Sequence, residues 1–230
     1  MTPFIAIICG LKSEEAALKS SVVGDYYHIG VSGADMARAE GMALGFCRKG
    51  ARAVISYGIA GGLDSSLQTG TFLIADRVCD KSGDSVECDP HLLNAARHIS
   101  ERRNAVIGPL LGSEEVVATP EEKAALWQAH KCLAVDMESF GVARAARLMN
   151  TPFFAIRAIA DPASRSLPPA ALGAVSPDGS TLVSKTLSAA LRDPKQFSEL
   201  MKLGGDASKA MKALKTHAPE YISMINRETF

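Results

Sequence analysis

Phe153-Phe154-Ala155-Ile156-Arg157-Ala158-Ile159-Ala160-Asp161 is an apolar run interrupted once, by Arg157, and closed by a carboxylate. Apolar residues at consecutive rather than alternate positions read as a strand covered on both faces. Similar runs occupy residues 4–9, 26–31, 53–57, 71–75, 106–111 and 132–135. Between several of them apolar residues recur every three or four positions, as in Met36, Ala39, Ala43, Leu44 and Cys47, and the segments after Asp89, Pro120 and Glu138 share that helical spacing. Parallel neighbours need crossover connections, so the alternation predicts an α/β three-layer sandwich around a mostly parallel or mixed sheet. A chain of 230 residues suits a single domain over 1–230. Its C-terminal part reads as a helical extension, with patterns at 181–192, 194–203 and 206–215 and the last two parted by Gly204-Gly205.

Acidic and basic residues balance at 25 each, so no net field draws the chain to nucleic acid or to an anionic membrane. The opening apolar run is too short for a membrane span and has no basic flank before it. Five cysteines without close pairs fit reduced thiols in a cytoplasmic protein, and the scattered histidines build no metal-ligand pattern. No metal and no organic cofactor is expected.

Four segments carry polar groups where chemistry is expected, at the carboxyl ends of strands. Arg157 inside an apolar strand needs carboxylates or a bound anion, and Asp161 stands at the strand's exit. Read alone, the pair fits a core salt bridge as well as a site. Val135-Asp136-Met137-Glu138-Ser139 ends a strand in two acids just before a small-residue helix, where capping requires only one. In Ser56-Tyr57-Gly58-Ile59-Ala60-Gly61-Gly62-Leu63 three glycines follow a strand and let backbone amides approach a sugar or an anion, or simply form a tight turn. Gly10-Leu11-Lys12-Ser13-Glu14-Glu15 adds acids after the first strand, and 161–179, with four prolines, reads as an irregular cover over the site.

Two other motifs fail on inspection. Gly30-Val31-Ser32-Gly33-Ala34 imitates a nucleophile elbow with alanine in its last position, and nothing marks His217 and Asp161 as triad partners. Gly179 to Thr186 imitates a phosphate loop, but Ser184 takes the place of the glycine that makes its turn.

Taken in order, the four segments resemble the nucleoside phosphorylase and nucleosidase superfamily, including the methylthioadenosine/adenosylhomocysteine nucleosidases, from Gly10 to about Pro162. Leu133-Ala-Val-Asp-Met-Glu-Ser139 and Arg157-Ala-Ile-Ala-Asp-Pro-Ala163, with the following Ser164 to Leu172, look more narrowly like hopanoid-associated nucleoside phosphorylases. The resemblance implies cleavage of an N-glycosidic bond. Asp161 then corresponds to the acid that protonates N7 of the leaving purine. Glu138 corresponds to the glutamate that binds the ribose hydroxyls, with Met137 and Gly61 among the substrate-contacting positions. Glu15 aligns with the glutamate that orients an attacking water, with Arg157 beside it. By the same resemblance Val116 would pack on the purine and backbone groups of Val117 would read its edge.

Ile59 and Ala160 stand where relatives commonly carry serines. Phosphate is the alternative nucleophile, but its capture needs several cationic donors and only Arg157 is in place, so hydrolysis is the expected reaction. A noncatalytic nucleoside-binding protein is the remaining alternative. The narrower resemblance implies adenosylhopane as substrate and an open apolar channel, and the superfamily resemblance implies a homo-oligomer. Phe197, Leu200, Met201, Leu203, Met211 and Leu214, with Lys195, Lys202, Lys209, Lys212 and Lys215, would line that channel's mouth, touch a membrane surface, or simply pack as core.

Overall fold

Alternate residues of each central strand feed two different apolar layers. In β1 (Phe4–Cys9), Phe4, Ala6 and Ile8 face one layer and Ile5, Ile7 and Cys9 the other. In β8 (Phe153–Asp161), Phe153, Ala155 and Ile159 join the first layer, and Phe154, Ile156, Ala158 and Ala160 the second. Strands buried on both sides have no polar face, and this accounts for the continuous apolar runs. The computed structural model describes residues 3–22, 24, 26–172, 175–181 and 194–228.

Helices cover both faces. Helix α2 (Met36–Arg48) and α5 (Ser139–Leu148) pack on the first layer, whereas α1 (Lys12–Lys19) and α3 (Pro90–Arg103) pack on the second. A third, smaller cluster gathers Leu63, Leu111, Val117, Cys132 and Val135 under Leu126 and Trp127 of α4 (Pro120–His130). The three-layer α/β expectation therefore holds. Three helices start where the sequence satisfies free amides: Asp35 caps α2, Asp89 caps α3, and Thr119 with Glu122 forms a reciprocal capping box on α4.

Among the described residues the sheet has eight strands and is mixed. The remaining strands are β2 (Tyr27–Val31), β3 (Ala51–Gly62), β4 (Phe72–Cys79), β5 (Ser85–Glu87), β6 (Val106–Gly112) and β7 (Ala134–Asp136). β1 lies parallel between β2 and β3. Beyond β3 the sheet curls: β3 pairs with β8, β8 with β4, β4 with β6, β6 with β7, and β7 returns antiparallel to the far end of β3. Five strands thus close a ring. β3 serves both ends of it because it runs on through Gly58, Gly61 and Gly62, the segment that glycine content alone marked as a turn.

The C-terminal extension also differs from expectation. Helix α6 (Pro194–Arg227) is one element that passes through Gly204-Gly205 and Pro219 without a break. Each glycine costs about 1 kcal/mol in a helix interior. The stripe Ala210, Leu214, Ala218, Tyr221, Ile222 and Ile225, fully buried against β8 and its neighbours, offsets that cost. The pattern expected over 182–192 lies outside the described residues, as do the side chains of Lys195 and Phe197. Leu214 is core and Met211 packs partly against it, whereas Met201 is exposed. Among the described residues no helix is long and apolar enough to cross a membrane.

Leu214→Ala should destabilise the protein by about 2–5 kcal/mol in urea unfolding, as a truncated core leucine does, and Met201→Ala by less than about 0.5 kcal/mol. Equal effects would show that α6 is not held by this stripe.

Candidate active site

Side chains alternate along β8, so Arg157 points to the same face as Phe153, Ala155 and Ile159, toward the start of α5. There it meets Asp136 at the end of β7. Nε donates to Asp136 Oδ2 at 2.6 Å, and Nη2 forms a further close ion pair with the same oxygen. Nη2 also donates to Ser56 Oγ at 2.7 Å and Ser139 Oγ at 2.8 Å, and Nη1 to the carbonyl of Ile156 at 2.7 Å. The arginine is 1% exposed. Burial works against its charge, yet Asp136, Glu138 and Glu14 hold its pKa above the ordinary arginine value. Arg157 therefore lies beneath the pocket rather than on its wall, a correction to its placement among the reacting groups.

Asp136 also supplies the cap of α5. Its carboxylate accepts from the Ser139 amide at 3.2 Å and from the Ser139 hydroxyl. Glu138, the residue just before the helix, makes no capping bond and is left to face the pocket. This answers why two acids stand there: one closes the helix and one serves the cavity. Burial first, then the neighbouring Asp136, pushes the Glu138 carboxyl up to about 8, against the pull of Arg157.

The cavity holds about 180 Å³. Met137, Glu138, Gly61, Val116, Val117 and Asp161 all line it, so six of the expected positions come together. Glu15 does not. It points outward to Lys19 at 2.7 Å, and Glu14 occupies the pocket in its place. The helical register explains the exchange: Glu14 shares a face with buried Leu18, four residues on, as Glu15 does with exposed Lys19.

Glu14 Oε2 accepts from the amides of Gly10 at 2.8 Å and Leu11 at 2.9 Å, and Oε1 from Ile59 at 2.8 Å. The absence of a side chain makes room for these carboxylates. A Cβ at Gly58 would stand 2.6 Å from Glu14 Oε1, and one at Gly10 would overlap Glu138 Oε1. Burial raises the Glu14 pKa, and the three amides oppose that rise.

Asp161, at the exit of β8, is paired with a residue that the sequence pattern did not single out. Lys123 Nζ donates to Asp161 Oδ2 at 2.6 Å and to the carbonyls of Pro162 and Arg165 at 3.0 Å. Burial raises the Asp161 pKa and Lys123 works against it. The pocket lining thus carries Glu14, Glu115, Asp136, Glu138 and Asp161 and, among its described residues, no lysine or arginine.

The description "Phosphorylase superfamily" belongs to the family model that matches residues 6–192. The chain belongs to this superfamily. A superfamily relative, the 5′-methylthioadenosine/S-adenosylhomocysteine nucleosidase of Chromohalobacter salexigens, is 31% identical over 137 residues, covering 49% of this chain and 57% of that protein. The enzyme of the same name from Staphylococcus epidermidis is 25% identical over 127 residues, 47% of this chain and 56% of that one. The matched stretch thus spans a little over half the length of each relative. Among solved structures, a Helicobacter pylori nucleosidase mutant with 5′-methylthioadenosine in its active site aligns with a TM-score of 0.68 at 18% identity, over 96% of this chain and 100% of that one. Native futalosine hydrolase of the same organism aligns at 0.67 and 16%, over 96% and 99%. These likenesses place the chain in the superfamily's nucleoside phosphorylase-like fold.

Asp136→Ala should cost about 3–5 kcal/mol of stability, because it leaves the Arg157 charge buried without its partner. Urea unfolding measures this; a loss below about 1 kcal/mol would mean that the serines and Glu138 suffice.

Proposed function

We propose that the protein hydrolyses the N-glycosidic bond of a 5′-substituted adenine nucleoside. The supporting observation is the lining of the pocket: five carboxyl groups and, among the described lining residues, no cation. Such a lining offers phosphate no cationic donor. The backbone amides that would cradle an anion at Gly10, Leu11 and Ile59 already bind Glu14, and every nitrogen of Arg157 is turned to protein acceptors. Water is the nucleophile this arrangement favours, and Glu14, with its raised pKa, is the base that orients it.

The geometry suits a nucleoside lying along β3. Glu14 stands over Gly58 and Asp161 beside Gly61. Three strand steps of about 3.3 Å put the two carboxyls roughly 10 Å apart, enough for a sugar and the near edge of a purine. Asp161, raised in pKa by burial, donates its proton to purine N7 as the bond lengthens. Glu138 accepts from ribose hydroxyls, and its charge stabilises the oxocarbenium-like sugar. Val116 and Val117 flank the base.

The sugar end also supports the nature of the 5′ substituent. Gly10 carries Glu138 above it, and its carbonyl accepts from Ala34. Around that corner Leu11, Ala34 and Val175 are half-buried and present an apolar rim. With the similarity of 133–172 to hopanoid-associated nucleoside phosphorylases, the rim supports adenosylhopane and a place in hopanoid lipid biosynthesis. A methylthio group suits the same rim, and the named nucleosidase relatives support that second reading.

The purified protein should release adenine from adenosylhopane in detergent, or from methylthioadenosine, equally well with and without phosphate. Strict phosphate dependence would refute hydrolysis, and no release from any 5′-substituted adenosine would favour a binding protein. Asp161→Asn should lower kcat by about 10²–10⁴ with KM little changed, and Glu14→Gln should lower kcat strongly where Glu15→Gln does not.

Ribose hydroxyls that donate to Glu138 favour its carboxylate, so a nucleoside should expel the proton that Glu138 holds below about 8. Affinity of the Asp161→Asn protein for methylthioadenosine should rise with pH toward 8 and level above it. Calorimetry at pH 7 in two buffers of different ionisation enthalpy should show proton release; proton uptake would overturn this role.

A further inference from the structure

The one fully buried side chain of helix α4 is a lysine. Lys123 is 0% exposed, while Leu126 and Trp127 of the same helix stay half-buried. An apolar residue would fill that position at no electrostatic cost, whereas an ammonium gives up its hydration and must recover it from the protein. It does so completely. A lysine has three donors and no acceptor, and Lys123 meets three acceptors: Asp161 Oδ2 at 2.6 Å, Pro162 O at 3.0 Å and Arg165 O at 3.0 Å.

We propose that Lys123 is a positioning residue for the acid: it occupies Oδ2 of Asp161, so that the transferable proton sits on Oδ1, and it stabilises the carboxylate left when that proton moves to the base. This rests on the acid role given to Asp161 above. Proton transfer converts a neutral carboxyl beside an ammonium into an ion pair, so the attraction grows as the reaction proceeds. An interaction stronger in the transition state than in the ground state raises kcat. The proton leaves Asp161 for purine N7, the electrons of the broken C–N bond go to the purine, water oxygen bonds the anomeric carbon, and the proton it sheds passes to Glu14.

The two carbonyl contacts extend the effect to the backbone. They tie the turn after β8 to α4, so the carboxyl and the chain that carries it are held from one point. Other charges around Asp161 are already partnered or lie across the cavity. Asp206 of α6 pairs with Arg165 at 2.7 Å, and Glu115, Asp136, Glu138 and Glu14 share the pocket lining. Lys123 is thus the cation in direct contact with the acid. Burial raises the pKa of Asp161 and Lys123 lowers it, so the acid's working range is a balance between them.

Lys123→Met removes the charge and leaves an unbranched side chain one atom shorter; Lys123→Arg keeps the charge. If Lys123 acts through Asp161, the Met variant should lose kcat by roughly tenfold to a hundredfold. The alkaline limb of kcat/KM, where Asp161 loses its proton, should move to higher pH by about one to three pH units, and the Arg variant should bring it back toward the original value. A fall in kcat with the limb unmoved would mean that Lys123 only packs the helix, and the proposal fails. Carboxyl 13C NMR of the full chain, with Asp161 assigned by difference from Asp161→Asn, reads the same titration without turnover. It separates the two claims: if wild-type protein cleaves no nucleoside, the functional reading fails, while an Asp161 titration that does not rise in Lys123→Met overturns the positioning role itself. Should the Met variant not fold, Lys123→Gln is measured in the same way.

Discussion

A guanidinium in the middle of a central strand is the constraint around which the site is built. Arg157 cannot be solvated there, so its neighbours must supply an opposite charge and a full set of acceptors. Asp136 provides the charge from β7, Ser56 an acceptor from β3 and Ser139 one from the start of α5. Three elements are thereby tied to one side chain. The same Asp136 caps α5, so the helix begins at a fixed point, and Glu138, one residue earlier, is delivered to the cavity. The arginine thus acts on the proposed chemistry at one remove, by deciding where the carboxylate assigned above to the sugar will stand.

The pocket is a place where negative charge is concentrated and then rationed. Asp136 is neutralised by Arg157, Asp161 faces Lys123, and Glu14 is held by three amides. Glu138 has only a longer contact to the arginine, at 3.8 Å, and burial pushes its carboxyl up to about 8. Groups of one chemical type thus reach different protonation habits through different partners. Such a difference in partners is what the proposed division into acid, base and sugar ligand requires of neighbouring carboxyls.

Much of this was legible in the sequence. The apolar runs marked six of the eight described strands closely because buried strands leave no polar face, and the apolar spacing after Asp89 and Pro120 announced helices. The acids of 133–139 and 157–161 were readable because charge inside an apolar strand demands a reason. What the pattern hid was long-range or register-dependent. Glycines that look like a turn lie in a continuing strand, since what they admit is the carboxylate of another segment. Glu14 and Glu15 are alike as letters, and only helical phase against Leu18 separates them. Lys123 sits in Pro-Glu-Glu-Lys-Ala, a stretch that reads as a solvated helix start; its partner lies 38 residues on, beyond any local signal. The helix through Gly204-Gly205 was hidden for the opposite reason, because tertiary burial outweighed a local weakness.

Closure of the sheet into a ring bears on how the chain reaches its native state. The ring needs β8 beside β3, with Phe153 against Val54, so its decisive pairing joins segments remote in sequence. Contacts of that kind are made slowly, since a long loop must be closed before they repay its entropy. Arg157 and Asp161 both ride on β8. Before that strand docks, Asp136 has no cation and Lys123 no anion, and the cavity has neither floor nor acid. Both ion pairs therefore form only when β8 docks, and a chain that lacks this pairing should hold no weakened version of the proposed site.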